Sequence, residues 1–283
     1  MTTPAPVETG VPFASVTDLI EAVCAGRLGP DPTTEQVSVA FTTRQGARHA
    51  GRGRSYRNQV LSLRVGVTVG SCATEPDELT DEVAYDCVGR SVAELLTHPV
   101  PAVRVAVLDA YLAAARPHAH AADDTVTIPA GTSLAKSTAR AAAVVDLTAV
   151  EPGQRVLVVG VVNSLLGQLR RRGVSYLPCD LAGGSTEWDE PCLPDAAVLL
   201  DRCDALLVSG MTLGNGTFEP LLRHARTTGK PMVAFAQTGS AVLPCFLGAG
   251  LSAVSAEPYP FFWLDGGPTT LYRYRAAVGP SSC

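Results

Sequence analysis

The amino-acid sequence predicts an α/β protein with a doubly wound, Rossmann-like C-terminal domain and a smaller α+β domain before it. From residue 151 onward, continuous apolar runs alternate with helix-length segments and short loops, which is typical of a parallel sheet with right-handed crossovers. Residues 13–116 instead show the order helix, strand, strand, helix, helix. The 283 residues are 46% hydrophobic and only 17% charged, which is enough apolar material to bury the cores of two modest domains.

The expected organisation is an α+β domain over 12–116, a connection with a helix over 117–150, the Rossmann-like domain over 151–270 and a tail over 271–283. The net charge of −5 gives no electrostatic attraction to nucleic acid or to an anionic membrane. No apolar run approaches the roughly 18–20 residues of a transmembrane helix, and residues 1–11 lack the features of a signal peptide. We therefore expect a cytoplasmic protein that binds a small molecule and neither nucleic acid nor a membrane. A cleft between domains often closes with a symmetric partner, so we also expect a homodimer.

Spacing predicts the elements of the first half. Apolar residues at helical intervals predict helices over 13–29, 81–97 and 102–115, and alternation predicts strands over 36–43 and 59–70. The connection over 44–58 carries five arginines among three glycines. An arginine of this loop, with Arg54 as the candidate, could grip a carboxylate or phosphate; the alternative is a solvated hairpin tip.

In the second half, buried strands are predicted over 155–160, 175–179, 204–210, 231–237 and 253–256, and helices over 164–172, 193–200, 218–228 and 243–250, with a further helix over 132–145 ahead of them. Segment 116–129 lacks periodicity, which indicates an interdomain connection. Open α/β sheets bind ligands outside the carboxyl ends of their strands. That rule selects the loops over 160–164, 180–185, 210–217 and 237–240.

The candidate ligand-binding residues of these loops are Asn163, Asp180, Gly210, Thr212, Asn215, Gly216, Thr217, Thr238 and Ser240. The glycines permit tight turns that aim backbone N–H groups at an anion, and Asn215 and Thr217 could hydrogen-bond a ligand or cap the following helix. Asp180 ends a strand where an acid can accept hydrogen bonds from ribose hydroxyls; the alternative is a turn or a helix cap.

The stretch 203–217, a hydrophobic strand followed by Gly-Met-Thr-Leu-Gly-Asn-Gly-Thr, resembles the signature of the heavy-metal chelation family, the DUF364 domain that often follows a DUF4213 domain. Residues 237–244 are similar to that family's GPS-x-x-x-P loop, from which Gln237 and Thr238 depart. Segment 96–112 resembles its helix ending near A-x-N-A, with Asp109 in place of Asn. The resemblance implies an N-terminal domain similar to that of enolase, a Rossmann-like domain, and a cleft between them that binds a metal chelate or related small molecule.

Two further candidates concern catalysis and metal binding. Asp109 could act as a general base if burial raises its pKa towards the working pH. His118 and His120, with Asp123 and Asp124 nearby, form a local cluster of metal-ligand types; the alternative is a solvated linker. The candidate cofactors are a transition metal ion or S-adenosylmethionine. The second rests on residues 151–160 with Asp180 ending the next strand, which are similar to the opening of enzymes that use an adenosyl compound.

Three functions stay open at this level. The first is a protein that binds a small, metal-chelating metabolite in the interdomain cleft and acts on it in cofactor or specialised metabolism. The second is an S-adenosylmethionine-utilising transferase or lyase, although the G-x-G expected after the first strand is missing. The third is a non-catalytic interaction module. No motif in the sequence identifies a reaction class.

Overall fold

The structure is a computed structural model that describes residues 13–48, 55–75 and 77–277. The described chain begins with an antiparallel three-stranded sheet in the order β1-β2-β3, covered by helices. Its elements are α1 (Val16–Cys24), β1 (Val37–Arg48), β2 (Ser55–Val65), β3 (Thr68–Thr74), α2 (Asp81–Cys87), α3 (Val92–Leu96) and α4 (Pro101–Ala115).

Two glycines divide elements that the sequence predicts as continuous. The single strand predicted over 59–70 is instead a hairpin, in which Gly66 has φ +55° and β2 pairs with β3 from Val65 and Thr68 onward. The helix predicted over 81–97 is two helices, because Gly89 has φ +81° and Ser91 begins α3 with a capping box to Glu94. The apolar alternation of the strand and the helical spacing of the helix continue across Gly66 and Gly89. The sequence pattern alone therefore does not reveal that these two elements are interrupted.

The rest of the described chain builds a seven-stranded sheet in the order β4-β10-β9-β8-β7-β5-β6. From β5 the chain moves to β6 on one side and then to β7 on the other, and β6, β5, β7, β8 and β9 are parallel. This arrangement confirms the doubly wound α/β fold. The strands are β4 (Asp124–Ile128), β5 (Arg155–Val159), β6 (Ser175–Cys179), β7 (Ala205–Ser209), β8 (Met232–Ala236), β9 (Ala253–Ala256) and β10 (Thr269–Arg275), and the helices are α5 (His118–Ala121), α6 (Ser133–Val145), α7 (Asn163–Arg171), α8 (Met211–Gly214) and α9 (Phe218–Thr228).

Four expectations for this half are wrong. The segment predicted as an unstructured connection contributes α5 and the edge strand β4, and the predicted tail begins inside β10, which lies between β4 and β9. The helices predicted over 193–200 and 243–250 are short 3-10 turns at Ala197–Arg202 and Leu243–Phe246. The edge strand β4 and its neighbour β10 pair antiparallel, as do β10 and β9, and the Thr- and Tyr-containing sequences of β4 and β10 lack the apolar run of a central parallel strand.

The two sheets share one hydrophobic core. Buried Leu61 and Leu108 of the first half belong to the same apolar cluster as Leu213 and Phe246 of the second. Gly239 N also donates a hydrogen bond to Ser71 O at 2.8 Å. The two halves are therefore held together by buried contacts. Within the described residues, no helix has the length and hydropathy needed to span a bilayer.

Candidate functional site

A cavity of about 1050 Å³ lies at the carboxyl ends of β5, β6, β7 and β8. Residues from all four loops selected from the sequence line it: 160–163, 180–183, 210–217 in part, and 237–238. The first-half hairpin covers it with Gln45, Tyr56 and Arg57, and an aromatic segment over 261–263 covers it from the second half. The strand order changes direction between β5 and β7, so the cavity occupies the switch point of the sheet.

The hairpin and the aromatic segment that cover the cavity are held in place by hydrogen bonds between distant parts of the chain. Trp263 Nε1 donates to Gln45 Oε1 at 2.6 Å, which joins the aromatic segment to the hairpin. Lys136 Nζ, on the buried side chain of an α6 residue, donates to Asp265 O at 2.7 Å and also to Gly267 O. These contacts fix the aromatic segment between α6 and the hairpin. The cavity is therefore enclosed by hydrogen-bonded protein segments on this side as well as by the loops of the parallel sheet.

Asn163 connects the hairpin to the parallel sheet. Its Nδ2 donates to Tyr56 Oη at 2.8 Å, its backbone N donates to the same oxygen at 3.1 Å, and its Oδ1 accepts from Glu187 N at 3.2 Å. The side chain is only 3% exposed. Asn163 lies at the cavity, as the sequence predicts, but its described contacts hold the cavity wall together.

Asp180 also lines the cavity, and its carboxylate joins two loops. Oδ2 accepts from Val161 N at 2.9 Å and Oδ1 accepts from Ala182 N at 3.1 Å. Each oxygen therefore already serves a backbone amide, which favours the predicted turn role over a contact to ribose hydroxyls. This geometry gives the adenosyl-binding interpretation no direct support.

The glycine-containing loop after β7 lines the cavity with Gly210, Thr212, Asn215, Gly216 and Thr217. Thr212 Oγ1 donates to Ser209 O at 2.7 Å, and Asn215 Oδ1 accepts from both the backbone N and Oγ1 of Thr217, at 3.2 and 2.7 Å. Asn215 Oδ1 and the Thr217 hydroxyl proton are thus used in a local turn, and the expectation that these two cavity residues also contact a ligand stays a prediction. Gly216, at φ +76°, supplies the left-handed backbone conformation that this turn at the cavity wall requires.

Thr238 lines the cavity, whereas Ser240 and Asp109 do not. Asp109 is 2% exposed between the two halves, where Oδ2 accepts from Ser71 N at 2.8 Å and Oδ1 accepts from Ala241 N at 2.7 Å. The prediction that Asp109 is a general base is wrong, since both oxygens are held by backbone amides away from the cavity. Arg54 lies outside the described residues; its neighbour Arg57 does line the cavity.

The predicted metal cluster does not form. His118 and His120 lie in a helical turn, so His118 is buried and His120 is exposed. His118 Nδ1 is 2.7 Å from Tyr274 Oη and Nε2 is 3.3 Å from Ser240 Oγ, while Asp124 pairs with two arginines of β10. Burial lowers the pKa of His118 to about 4. Across the described ranges, no group of three or more His, Cys, Asp or Glu side chains is arranged to hold a metal ion.

Three polar cavity residues are not among the candidates predicted from the sequence, although Gln237 lies in one of the selected loops. Arg140 of α6 is 5% exposed and forms an ion pair with Glu257, and Gln237 Nε2 donates to the same Glu257 oxygen at 3.0 Å. Glu75 follows β3, and burial together with the charges of Asp180 and Glu78 raises its pKa. Arg140 carried little signal in the sequence, because Lys136 and Ser137 are polar residues buried on the same face of α6.

Asp109 makes the stability of the protein depend on pH. Burial raises its pKa from 3.8 to about 7, although hydrogen bonds from Ser71, Ala241, Gly239 and Ser240 oppose that shift. The native state therefore holds a proton more tightly than the unfolded state, and the stability present below about pH 4 is lost as pH rises towards 7. In urea titrations, we expect the free-energy difference between wild type and Asp109→Asn to fall by at least about 1.4 kcal/mol over that window, the equivalent of one pKa unit.

The exposed Asp86→Asn variant is the control for this measurement. Its free-energy difference from wild type measures the effect of an Asp-to-Asn change at an exposed site under the same conditions. A constant difference for Asp109→Asn over the same pH range would show that the native and unfolded states bind this proton equally, so that burial does not raise the pKa of Asp109.

Residues 143–255 match the sequence profile of the DUF364 family, described as "Putative heavy-metal chelation". This stretch is therefore similar to DUF364 domains. A crystal structure of a DUF364 protein of unknown function from Desulfitobacterium hafniense DCB-2 is similar over 92% of this chain and 100% of that one, with 16% identity and a TM-score of 0.60. A DUF364 protein of unknown function from Pyrococcus horikoshii covers 83% of this chain and 92% of its own, with 14% identity and a TM-score of 0.49.

The D. hafniense likeness extends beyond this stretch and shows that the two chains share a fold. No protein of curated function matches the sequence. The DUF4213 resemblance of the first half stays a prediction, as do the homodimer and the cytoplasmic location.

Proposed function

We propose that this protein binds a small metal-chelating metabolite in the cavity between the hairpin and the parallel sheet. The observation that carries the proposal is the cavity itself, at about 1050 Å³ and at the switch point of the sheet. Its volume suits a ligand larger than a single ion. Its wall combines apolar side chains such as Phe261 with a few polar groups such as Arg140, the composition typical of small-molecule sites.

The chemistry of the wall indicates how a metal would arrive. Cys179, Asp180, Cys192 and Asp195 line one region of the cavity. Within the described part of the chain they do not form a group of three or more able to hold a metal ion. A resident protein-bound metal therefore does not fit these donors, and we propose that the metal enters as cargo, already coordinated by the ligand's own donor atoms.

Filling the cavity should displace the ligand. Ala47 is half-buried in β1 and lines the cavity, so Ala47→Trp places an indole in the ligand's space while keeping a residue that favours strands. We expect denatured extracts of the purified variant to contain at least about tenfold less co-purified metabolite and metal than wild type, as 1.4 kcal/mol of lost affinity already gives tenfold. The measurements are mass spectrometry of the extracts and elemental analysis of the intact protein.

Ser38→Trp is the matched control, because Ser38 is an exposed residue of the same strand and does not line the cavity. Its extracts should equal those of wild type. Equal metabolite content in all three proteins would contradict binding in this cavity. If wild type contains a metabolite that the Ala47→Trp variant loses, but no metal accompanies it, the binding proposal stands. The proposal that the metabolite chelates a metal is then contradicted.

A further inference from the structure

Arg140 is a buried cation at the wall of the cavity, held from behind by one carboxylate. Its Nε lies 2.7 Å from Glu257 Oε2, and the two side chains are 6% and 2% exposed. Gln237, which also lines the cavity, donates to the same Glu257 oxygen at 3.0 Å. Glu257 itself does not line the cavity. It therefore positions two cavity residues without facing the ligand.

The guanidinium is also fixed in orientation by aromatic rings. Its central carbon lies 5.7 Å from the Phe235 ring centroid and 5.6 Å from that of Phe262. Phe262 belongs to the aromatic segment that Lys136 and Gln45 hold over the cavity. A guanidinium constrained in this way has lost most of its conformational freedom before any ligand binds.

Most of the hydrogen-bonding capacity of Arg140 is left for a ligand. Guanidinium has five N–H donors, of which the Nε donor serves Glu257. Among the described residues, neither Nη atom donates to a protein group. Neither Nη atom is among the buried, unpartnered polar atoms of the described residues, so these four donors face the cavity space, where an acceptor on a ligand can reach them.

We propose that Arg140 forms an oxyanion subsite that binds a carboxylate or phosphate group of the cavity ligand through its two Nη atoms. The inference rests on the proposed function and adds to it the chemical class of the ligand. A planar fork of donors matches the two oxygens of such a group in a bidentate pair. Ligands of this class include polycarboxylate and phosphorylated chelators, whose oxygens also coordinate metal ions.

Other positive potential reaches the same cavity. The Arg140–Glu257 pair is close to neutral as a unit, so the anion needs further compensation. The first residue of the nine-residue helix α7, Asn163, lines the cavity, and no side chain caps that helix. Its dipole places partial positive charge there. Ser137 of α6 donates to Ser164 of α7 at 2.9 Å, which keeps this helix end next to the face that carries Arg140.

The test uses intact protein with malonate, inorganic phosphate and the neutral analogue malonamide as probes in calorimetry. The decisive variant is Arg140→Met with Glu257→Gln, which removes both buried charges together so that the fold is retained. We expect malonate or phosphate to bind wild type, malonamide not to bind, and the double variant to bind the anion at least about tenfold more weakly, as for a lost charged hydrogen bond. Arg223→Gln, at an exposed arginine outside the cavity, should bind like wild type.

The outcomes separate this inference from the proposed function. Binding of phosphate but not malonate, or the reverse, identifies which oxyanion the subsite takes. Equal anion binding by the double variant, or binding of malonamide as tight as that of malonate, would overturn the subsite. If no oxyanion binds wild type while the Ala47→Trp variant still loses its co-purified metabolite, the cavity binds a ligand but Arg140 does not recognise an anion.

Discussion

Replacing Gly70 with alanine is expected to destabilise the protein by about 3 kcal/mol or more, at the upper end of the range for overpacked cores. Gly70 lies in β3 directly against α4. A Cβ atom there would lie 1.9 Å from Ala110 N and 2.4 Å from Ala106 O, both backbone atoms of that helix. Because backbone cannot move aside as a side chain can, the helix and the strand would have to separate. Ala73, farther along β3, lines the cavity, so ligand content should fall as well.

Gly46→Ala provides the matched control, since Gly46 lies in β1 and a Cβ atom at that position has no neighbour within 4 Å. We expect its free energy of unfolding to stay within about 0.5 kcal/mol of wild type, as for most surface substitutions. Urea denaturation of wild type, Gly70→Ala and Gly46→Ala measures the change in the free energy of unfolding for both variants. Equal stability of Gly70→Ala and Gly46→Ala would contradict the close approach of β3 to α4.

The position of the cavity could be predicted from the sequence because it follows from local patterns and one topological rule. Continuous apolar runs such as Arg155–Val159 identify strands of a parallel sheet, and the residues after them must meet at its carboxyl edge. The loops that follow β5, β6, β7 and β8 could therefore be expected to line one cavity before any tertiary contact was known, and they do so.

The roles of individual side chains could not be predicted in the same way, because their partners are distant in sequence. Asp109 accepts hydrogen bonds from residues 38 and 132 positions away, and Arg140 pairs with a carboxylate 117 positions away. His118 illustrates the converse error. An extended chain would direct it and His120 to the same side, but one helical turn buries the first and exposes the second.

The Arg140→Met single variant should be less stable than wild type by about 3–5 kcal/mol, whereas adding Glu257→Gln should restore most of that loss. In the single variant Glu257, which is 2% exposed, keeps only Gln237 as a donor to Oε2, and its Oε1 has no hydrogen-bond partner among the described residues. An unpaired charge is then buried. The double variant buries two neutral side chains of similar volume instead, and comparison with wild type and with both single variants, Glu257→Gln included, gives the pairing energy in a double-mutant cycle. If the single variant were as stable as the double, Glu257 would not be buried as a charge, and the orientation of Arg140 towards the cavity would need another cause.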